Sequence, residues 1–407
     1  MKVEVPRLAV RVPGFQFAGA RAGLKESGKR DIGLIYSEVP ASAAAAFTTN
    51  RVKAAPVLLG LQRTPAGRLQ AIVINSGNAN AYTGRGGLQM AREMCRLVAR
   101  EIGIPEKLVI PSSTGRIGVP LPPRKIAAGI KAACRALSPN AFHEALEGIM
   151  TTDAFPKFGV DSLLLGGREV TVAGMTKGAG MIAPKMRLVP HATNLTYVMT
   201  DAAVTAPALR RALAIALPQS FNAIVVDGDT STNDTVVLLA NGFAGNRPIT
   251  VHSREFPALC GAVTRLMHRL ARMIVKDGEG ATKVVDIHVH GARHRRDAEL
   301  AADTLARSPL CKAAFFGGDP YTGRIVCALG YSGAVFDPNE LDVYLDDVQV
   351  VRRGKEIVSK VERRAAAVAR QPELRLTAHL HAGTATAHRM ASDLTLDYVR
   401  FNSDYRT

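Results

Sequence analysis

Residues 178–202 read GAGMIAPKMRLVPHATNLTYVMTDA, from Gly178 to Ala202. A glycine-rich start gives way to an apolar run that contains Ala192-Thr193, a small residue and a hydroxyl, directly after Pro190 and His191. No serine–histidine–aspartate partners are visible nearby, and a threonine without a base is ordinarily a strand residue. The rest of the chain decides which reading holds.

The chain has 407 residues, 47% hydrophobic and 21% charged, enough for one large domain or two to three ordinary ones with a substantial core. No run approaches the ~18 apolar residues of a spanning helix. The start, MKVEVPRLAVRVPGF, is broken by charges and prolines, so no signal peptide is expected. Cys95, Cys134, Cys260, Cys311 and Cys327 lie far apart without a C-x-x-C spacing, which suits reduced thiols in a cytoplasm. The net charge of +17 is spread along the chain and comes with no reader motif or aromatic platform. Neither nucleic acid nor a membrane is expected as a partner.

Strand-like and helical runs alternate, and no domain boundary is visible. DIGLIYS and the nearly all-apolar AIVINSG read as strands, the second central in a sheet; LVIPSS is another. LQMAREMCRLVAREIG, RKIAAGIKAACRAL, ALRRALAIAL and ALCGAVTRLMHRLARMIV have the three- and four-residue apolar spacing of helices. DSLLLGGREVTVAG reads as strand, Gly-Gly turn, strand, a hairpin. FNAIVVDGD, NDTVVLLANG, RIVCALG, ELDVYLDDVQVV, ELRLTAHLHAG and the terminal LTLDYVRFNSDYRT read as strands; GARHRRDAELAAD reads as a polar connection.

Polar loops at strand ends are where α/β proteins place their chemistry. Four qualify: NSGNANAYTGRGG (75–87), PSSTGRIG (111–118), DGDTSTND (227–234) and FGGDPYTGRI (316–325). Together they point to one shared polar site. G-x-x-x-x-G-K-[ST] and G-x-S-x-G are both absent, which argues against a phosphate loop and a nucleophile elbow. His288 with His290, and His379 with His381, each share one face of a strand, so two such pairs could hold a zinc ion if their strands met. Unligated strand histidines are the simpler reading, and no metal is expected. The cysteines read as core or strand residues.

Thr193 needs a base. A threonine becomes a nucleophile without histidine when its own α-amino group takes the proton, which requires it to be an N-terminus. A free α-amine ordinarily titrates at about pH 8 and is partly neutral near pH 7. Cleavage of Ala192–Thr193 would create that amine: the hydroxyl attacks the preceding carbonyl in an N-to-O acyl shift, and water releases the first segment.

The chain resembles the ornithine acetyltransferase (glutamate N-acetyltransferase) family of arginine biosynthesis. The likeness is carried by FTTNRVKAAPV, NSGNANAYTG, SSTGRIG, TTDAFPK, TKGAGMIAP followed by ATNL, DGDTSTND, KDGEGATK, GGDPYTGRI and the terminal NSDYRT. It implies a layered α/β fold of the ornithine acetyltransferase/DmpA-like superfamily, self-processed into chains 1–192 and 193–407 that share one core. It implies Thr193 as nucleophile and Thr114 with Gly115 as the oxyanion-stabilising pair. It also implies substrate contacts from Thr151 or Thr152, Lys177, Thr193, Glu279, Asn402 and Thr407. The implied reaction is a ping-pong acetyl transfer from N-acetylornithine to glutamate through an acetyl-Thr193 ester. No cofactor is implied, acetyl-CoA is a co-substrate option, and the assembly is a dimer of alpha/beta heterodimers. One departure stands out: KMRLVPH separates Pro184 from Ala192, where the family passes more directly into Ala-Thr. The extra Arg187-Leu188-Val189-Pro190-His191 has two readings, a loop that leaves cleavage unaffected and a change in the strain that promotes it. The alternatives are a related self-cleaving acyltransferase or aminopeptidase of a specialised pathway, a basic non-enzymatic binding protein, and a His-pair zinc hydrolase.

Overall fold

Side-chain alternation along two strands builds the layers. In the strand Ile32–Thr48, Ile32 and Leu34 enter one apolar cluster and Ile35 the opposite one. Its pairing with Arg68–Asn78 shifts register between Tyr36 and Ala41. Beyond that shift Ala43, Ala45 and Phe47 remain in the second cluster, while Ala44 and Ala46 face a third. Arg68–Asn78 alternates likewise, with Ala71 and Val73 on one side and Ile72 and Ile74 on the other. Burial on both faces is what its near-continuous apolar sequence requires.

The computed structural model describes residues 9–184, the backbone of 186–187, and residues 194–320 and 322–404. The first sheet has nine strands. Seven form its main path, in the order 109–116, 68–78, 32–48, 235–240, 195–200, 168–177 and 157–165. Both halves of the sheet feed one cluster, which holds Ile72 and Ile110 from one half with Met175, Tyr197, Met199 and Val237 from the other. Helices Gly84–Ile102 and Pro123–Arg135 cover the outside of the first half, and Ala206–Ala216 and Phe256–Lys276 cover the second. The result is a helix–sheet–sheet–helix stack, the layered α/β class expected from the sequence. The long helix Phe256–Lys276 buries Leu259, Val263, Leu266, Leu270 and Ile274, an apolar stripe at helical spacing. A second sheet of seven strands, centred on Glu373–His379 and Val284–Ala292, packs beneath helices Arg295–Arg307, Pro309–Gly317, Gly323–Tyr331 and Val358–Ala369.

Residues from both sides of position 192 share this core. Arg168–Lys177 pairs antiparallel with Leu195–Thr200, and Ile32–Thr48 pairs with Thr235–Ala240. The hairpin at 161–174 forms as read, and its turn residues Gly166 and Gly167 both have positive φ, 58° and 77°. Two consecutive left-handed positions fit the right-handed strand twist and favour glycine.

Four stretches differ from their sequence readings. The terminal segment is not a strand: Leu396–Asp404 is a helix, started by the Thr395 hydroxyl, which accepts from the Tyr398 N–H at 3.1 Å. RIVCALG lies in the helix Gly323–Tyr331, which buries Ile325, Ala328 and Leu329 at helical rather than alternating spacing. GARHRRDAELAAD runs into the helix Arg295–Arg307, whose buried Ala298, Ala301, Ala302 and Leu305 form a narrow stripe hidden in a charged run. FNAIVVDGD contributes only the two-residue strand Ile224–Val225. No described helix is long and apolar enough to cross a membrane.

Candidate active site

Strand ends converge on a cavity of about 260 Å³ lined by Thr114, Gly115, Thr151, Thr152, Lys177, Glu279 and Asn402, together with Asn194, Asp227, Asp234 and Tyr398. Three of the four polar loops reach it, through Ala79, through Thr114–Ile117 and through residues 227–234. The described residues of the fourth, 316–325, do not. This loop joins helices Pro309–Gly317 and Gly323–Tyr331 against the second sheet, with Gly318 left-handed at the helix end. Gly318 serves as a helix C-cap and Gly323 opens the next helix. Thr193 and Thr407 lie outside the described residues, as do the side chain of Arg187 and residues 188–191 of the extra segment.

Thr114 and Gly115 end the strand Val109–Arg116, which pairs parallel with Arg68–Asn78. Gly115 has φ +128°, and a Cβ there would stand 2.3 Å from the Gly77 carbonyl carbon and 2.5 Å from the Asn78 nitrogen. Only glycine permits that approach. The Lys177 Nζ donates to the Thr114 Oγ1 at 3.2 Å, tying the pair to the floor of the cavity.

Lys177 ends the strand Arg168–Lys177, and burial lowers its pKa even though Asp153 raises it. Beneath it lies a charged group that sequence reading did not assemble. The buried Lys157 ammonium donates to the Asp153 Oδ1 at 2.6 Å and also to the Asp277 Oδ2. Asp153 further accepts from the Gly178 N–H at 2.8 Å and the Thr151 N–H at 2.8 Å, so one carboxylate fixes the backbone on both sides of the cavity. Burial alone would raise the Asp153 pKa; Lys157 and Lys177 together hold it well below the usual carboxylate range. Burial pushes Asp277 up to about 6, against the pull of Lys157.

Glu279 faces this cation from the loop after the long helix. Its Oε2 accepts from the Asn402 Nδ2 at 3.1 Å, which brings the C-terminal helix into the site. A Cβ on Gly180 would lie 2.3 Å from the same oxygen, so the glycine at 180 leaves room for the carboxylate. Asp227 accepts from the N–H groups of Met181 (2.6 Å) and Ile182 (2.8 Å), pinning the chain that leads to Pro184. On the far side the Thr235 N–H donates to the Asn194 carbonyl at 2.5 Å. Met181, before residues 185–193, and Asn194, after them, both line the cavity.

Sequence reading assigned no part to Asp153, Lys157, Asp277 or Tyr398, and took Asp227 and Asp234 only as the ends of the polar loop DGDTSTND. The first two lie inside TTDAFPK and Asp277 inside the conspicuous KDGEGATK, but pairing across more than a hundred residues leaves no local pattern.

His288 and His290 line a separate, larger cleft with His268 and His388. His288 and His290 stack with ring centroids 6.0 Å apart, and His388 lies 4.6 Å from His288. The two expected pairs do come into register, His290 opposite His379, but His381 turns to Asp342 at 2.9 Å. Among the described residues no group of three or more His, Cys, Asp or Glu has the geometry of a metal site.

The ArgJ family model matches residues 16–407. The chain belongs to the ArgJ family. It is 51% identical over 396 residues to the arginine biosynthesis bifunctional protein ArgJ of Symbiobacterium thermophilum, covering 97% of each chain. It is 46% identical over 398 residues to that of Geobacter sulfurreducens, covering 98% of this chain and 100% of the other. The solved structure of the Bacillus halodurans ArgJ protein is 35% identical, over 51% of this chain and 98% of that one, with a TM-score of 0.49. The membership accounts for the long motifs from FTTNRVKAAPV to NSDYRT.

Proposed function

We propose that this ArgJ-family chain transfers an acetyl group from N-acetylornithine to glutamate, through an ester on Thr193, in arginine biosynthesis. The observation that carries the reading is the cavity itself, where Lys177 and Glu279 face one another beside Thr114 and Gly115. The ammonium of Lys177 pairs with a substrate carboxylate, and Glu279, steadied by Asn402, pairs with a substrate ammonium. Ornithine and glutamate both carry that pair of charges, so one site serves both half-reactions. Thr151 and Thr152 both line the cavity, and either can contact substrate.

Chemistry follows from what acyl transfer needs. The Thr193 hydroxyl attacks the acetyl carbonyl, and the oxygen that gains charge is met by the Gly115 N–H and the Thr114 hydroxyl. A preorganised donor of this kind lowers the barrier by ~2.7–4 kcal/mol. Ornithine leaves, and the glutamate amine attacks the ester. The α-amino group of Thr193 is the base, which places self-cleavage at Ala192–Thr193 before the first turnover. The pieces 1–192 and 193–407 stay together through the shared core and pair into a dimer of heterodimers in the cytoplasm. Thr407 completes the substrate contacts. No cofactor takes part; acetyl-CoA is a second acetyl donor.

The test is an acetyl-transfer assay on purified protein with N-acetylornithine and glutamate, with and without acetyl-CoA. Ornithine release in step with N-acetylglutamate is the expected result. Release of ornithine without acetylation of glutamate would favour a hydrolase on the same site.

A further inference from the structure

Two features of the sequence have no place in the acetyl-transfer cavity: the net charge of +17 and the strand that carries His288 and His290. Both meet in the second cleft, a space of about 1680 Å³ lined by the helix Phe256–Lys276 and by the second sheet. The helix sets Arg265, His268, Arg269 and Arg272 on one face, by their three- and four-residue spacing. The strand Val284–Ala292 turns Asp286, His288 and His290 to one side. In register with them stand Arg375, opposite Asp286, and His388, opposite His288. Arg295, Arg307 and Arg389 complete the set.

Among the described residues seven arginines therefore line the cleft against three carboxylates, Asp286, Glu299 and Asp303. Each carboxylate is already taken. Arg272 holds Asp286 at 2.8 Å, Arg295 holds Glu299 at 2.8 Å, and Arg389 holds Asp303 at 2.6 Å. Arg269 pairs outward with Asp161 at 2.8 Å. That leaves Arg265, Arg307 and Arg375 without a carboxylate partner among the described residues; Arg307 donates to the Gly228 carbonyl at 2.5 Å instead. His288 adds no charge near neutral pH, since burial, and then His388 beside it, pushes its pKa down to about 4. Unpaired guanidinium groups gathered in one concavity focus a positive potential there.

The lining also selects among anions. Arginine forks match phosphate oxygens two at a time, and the hydroxyls of Thr264, Thr384 and Thr386 add neutral donors. A single amino-acid carboxylate would answer one of these cations, whereas linked phosphates answer several. No Phe, Tyr or Trp is among the described lining residues, so the cleft has no platform on which the bases of a nucleic acid could stack. We propose that this cleft is a second binding site, which takes the linked phosphates of a small ligand between Arg265 on the helix and Arg375 on the sheet. It shares a wall with the acetyl-transfer cavity: Gly228, held by Arg307, lies between Asp227 and Asp229, which line that cavity. Linked phosphates have two sources, the nucleotide end of coenzyme A, whose acyl end would then reach the neighbouring cavity, and a free oligophosphate.

Isothermal titration of the purified, intact enzyme with sodium tripolyphosphate, at an ionic strength that screens diffuse surface charge, tests the site. One tripolyphosphate should bind per 407-residue sequence. Arg265→Gln with Arg375→Gln should weaken it at least about 10-fold, the worth of one charge-assisted hydrogen bond. Both side chains are exposed, so this double variant should keep the parent's circular dichroism and its transfer from N-acetylornithine. The control, Arg352→Gln with Arg363→Gln, removes the same charge from exposed positions outside the cleft and should change binding less than about 2-fold. No saturable binding, unchanged binding in the first pair, or an equal loss in the control pair overturns the proposal. Coenzyme A then separates the sources. If it displaces tripolyphosphate, and the first pair raises the KM for acetyl-CoA at unchanged kcat, the phosphates are those of the acetyl donor. Tripolyphosphate that coenzyme A does not displace makes a free oligophosphate the ligand, and either result upholds the site. Only the coenzyme A arm rests on the acetyl-CoA donor proposed above; an enzyme without acetyl-CoA-dependent activity should still bind tripolyphosphate.

Discussion

Thr193→Ala should yield one uncut chain of 407 residues with no measurable acetyl transfer, where the parent should give pieces of 192 and 215 residues on a denaturing gel and one complex under native conditions. The same oxygen performs both tasks, so one deletion removes both. Loss of a covalent nucleophile lowers turnover by roughly a million-fold in well-studied hydrolases. Thr193→Ser keeps a hydroxyl and should retain part of both activities. An alanine variant that is still processed means an outside protease cuts the chain. One that is uncut yet transfers acetyl places the nucleophile elsewhere in the cavity.

The second large effect falls on stability. Lys157→Met should destabilise the fold by about 3–5 kcal/mol, since it leaves Asp153 and Asp277 buried without the cation they share. Two carboxyls that then repel one another also disturb the Gly178 and Thr151 N–H contacts, so acetyl transfer should fall with stability. Replacing all three groups together, as Asp153→Asn, Lys157→Met and Asp277→Asn, should recover much of the loss, because no charge is then stranded. Denaturant unfolding of the single and triple variants checks this. A single variant within about 0.5 kcal/mol of the parent contradicts it, since that is the range of an ordinary surface change.

The elements with strong periodicity were legible in the sequence. The helix Phe256–Lys276 and the hairpin around Gly166-Gly167 each carry a local pattern that tertiary contacts only reinforce. The C-terminal helix was not, because its start depends on the cap at Thr395 while its apolar residues Leu396, Val399 and Phe401 are exposed and show no clear stripe. Helix Arg295–Arg307 was hidden differently: its buried face is mostly alanine, which adds little hydrophobic contrast to a charged run.

The site divides the same way. Thr114, Gly115, Lys177, Glu279 and Asn402 came from ordered motifs, and the fold brings them to one cavity. The Asp153–Lys157–Asp277 group and Asp234 depend on which strand ends meet. That is a property of sheet order, which local periodicity does not encode. The loop at 316–325 shows the converse, since its glycines and polar residues have the composition of a site but end one helix and begin another.

The most direct test is mass spectrometry of the denatured enzyme, quenched after mixing with N-acetylornithine in the absence of glutamate. One acetyl group should appear on the piece that begins at Thr193, on its side-chain oxygen, and disappear when glutamate is added before the quench. No acetyl on that piece during active turnover, or an acetyl that glutamate does not remove, contradicts transfer through Thr193.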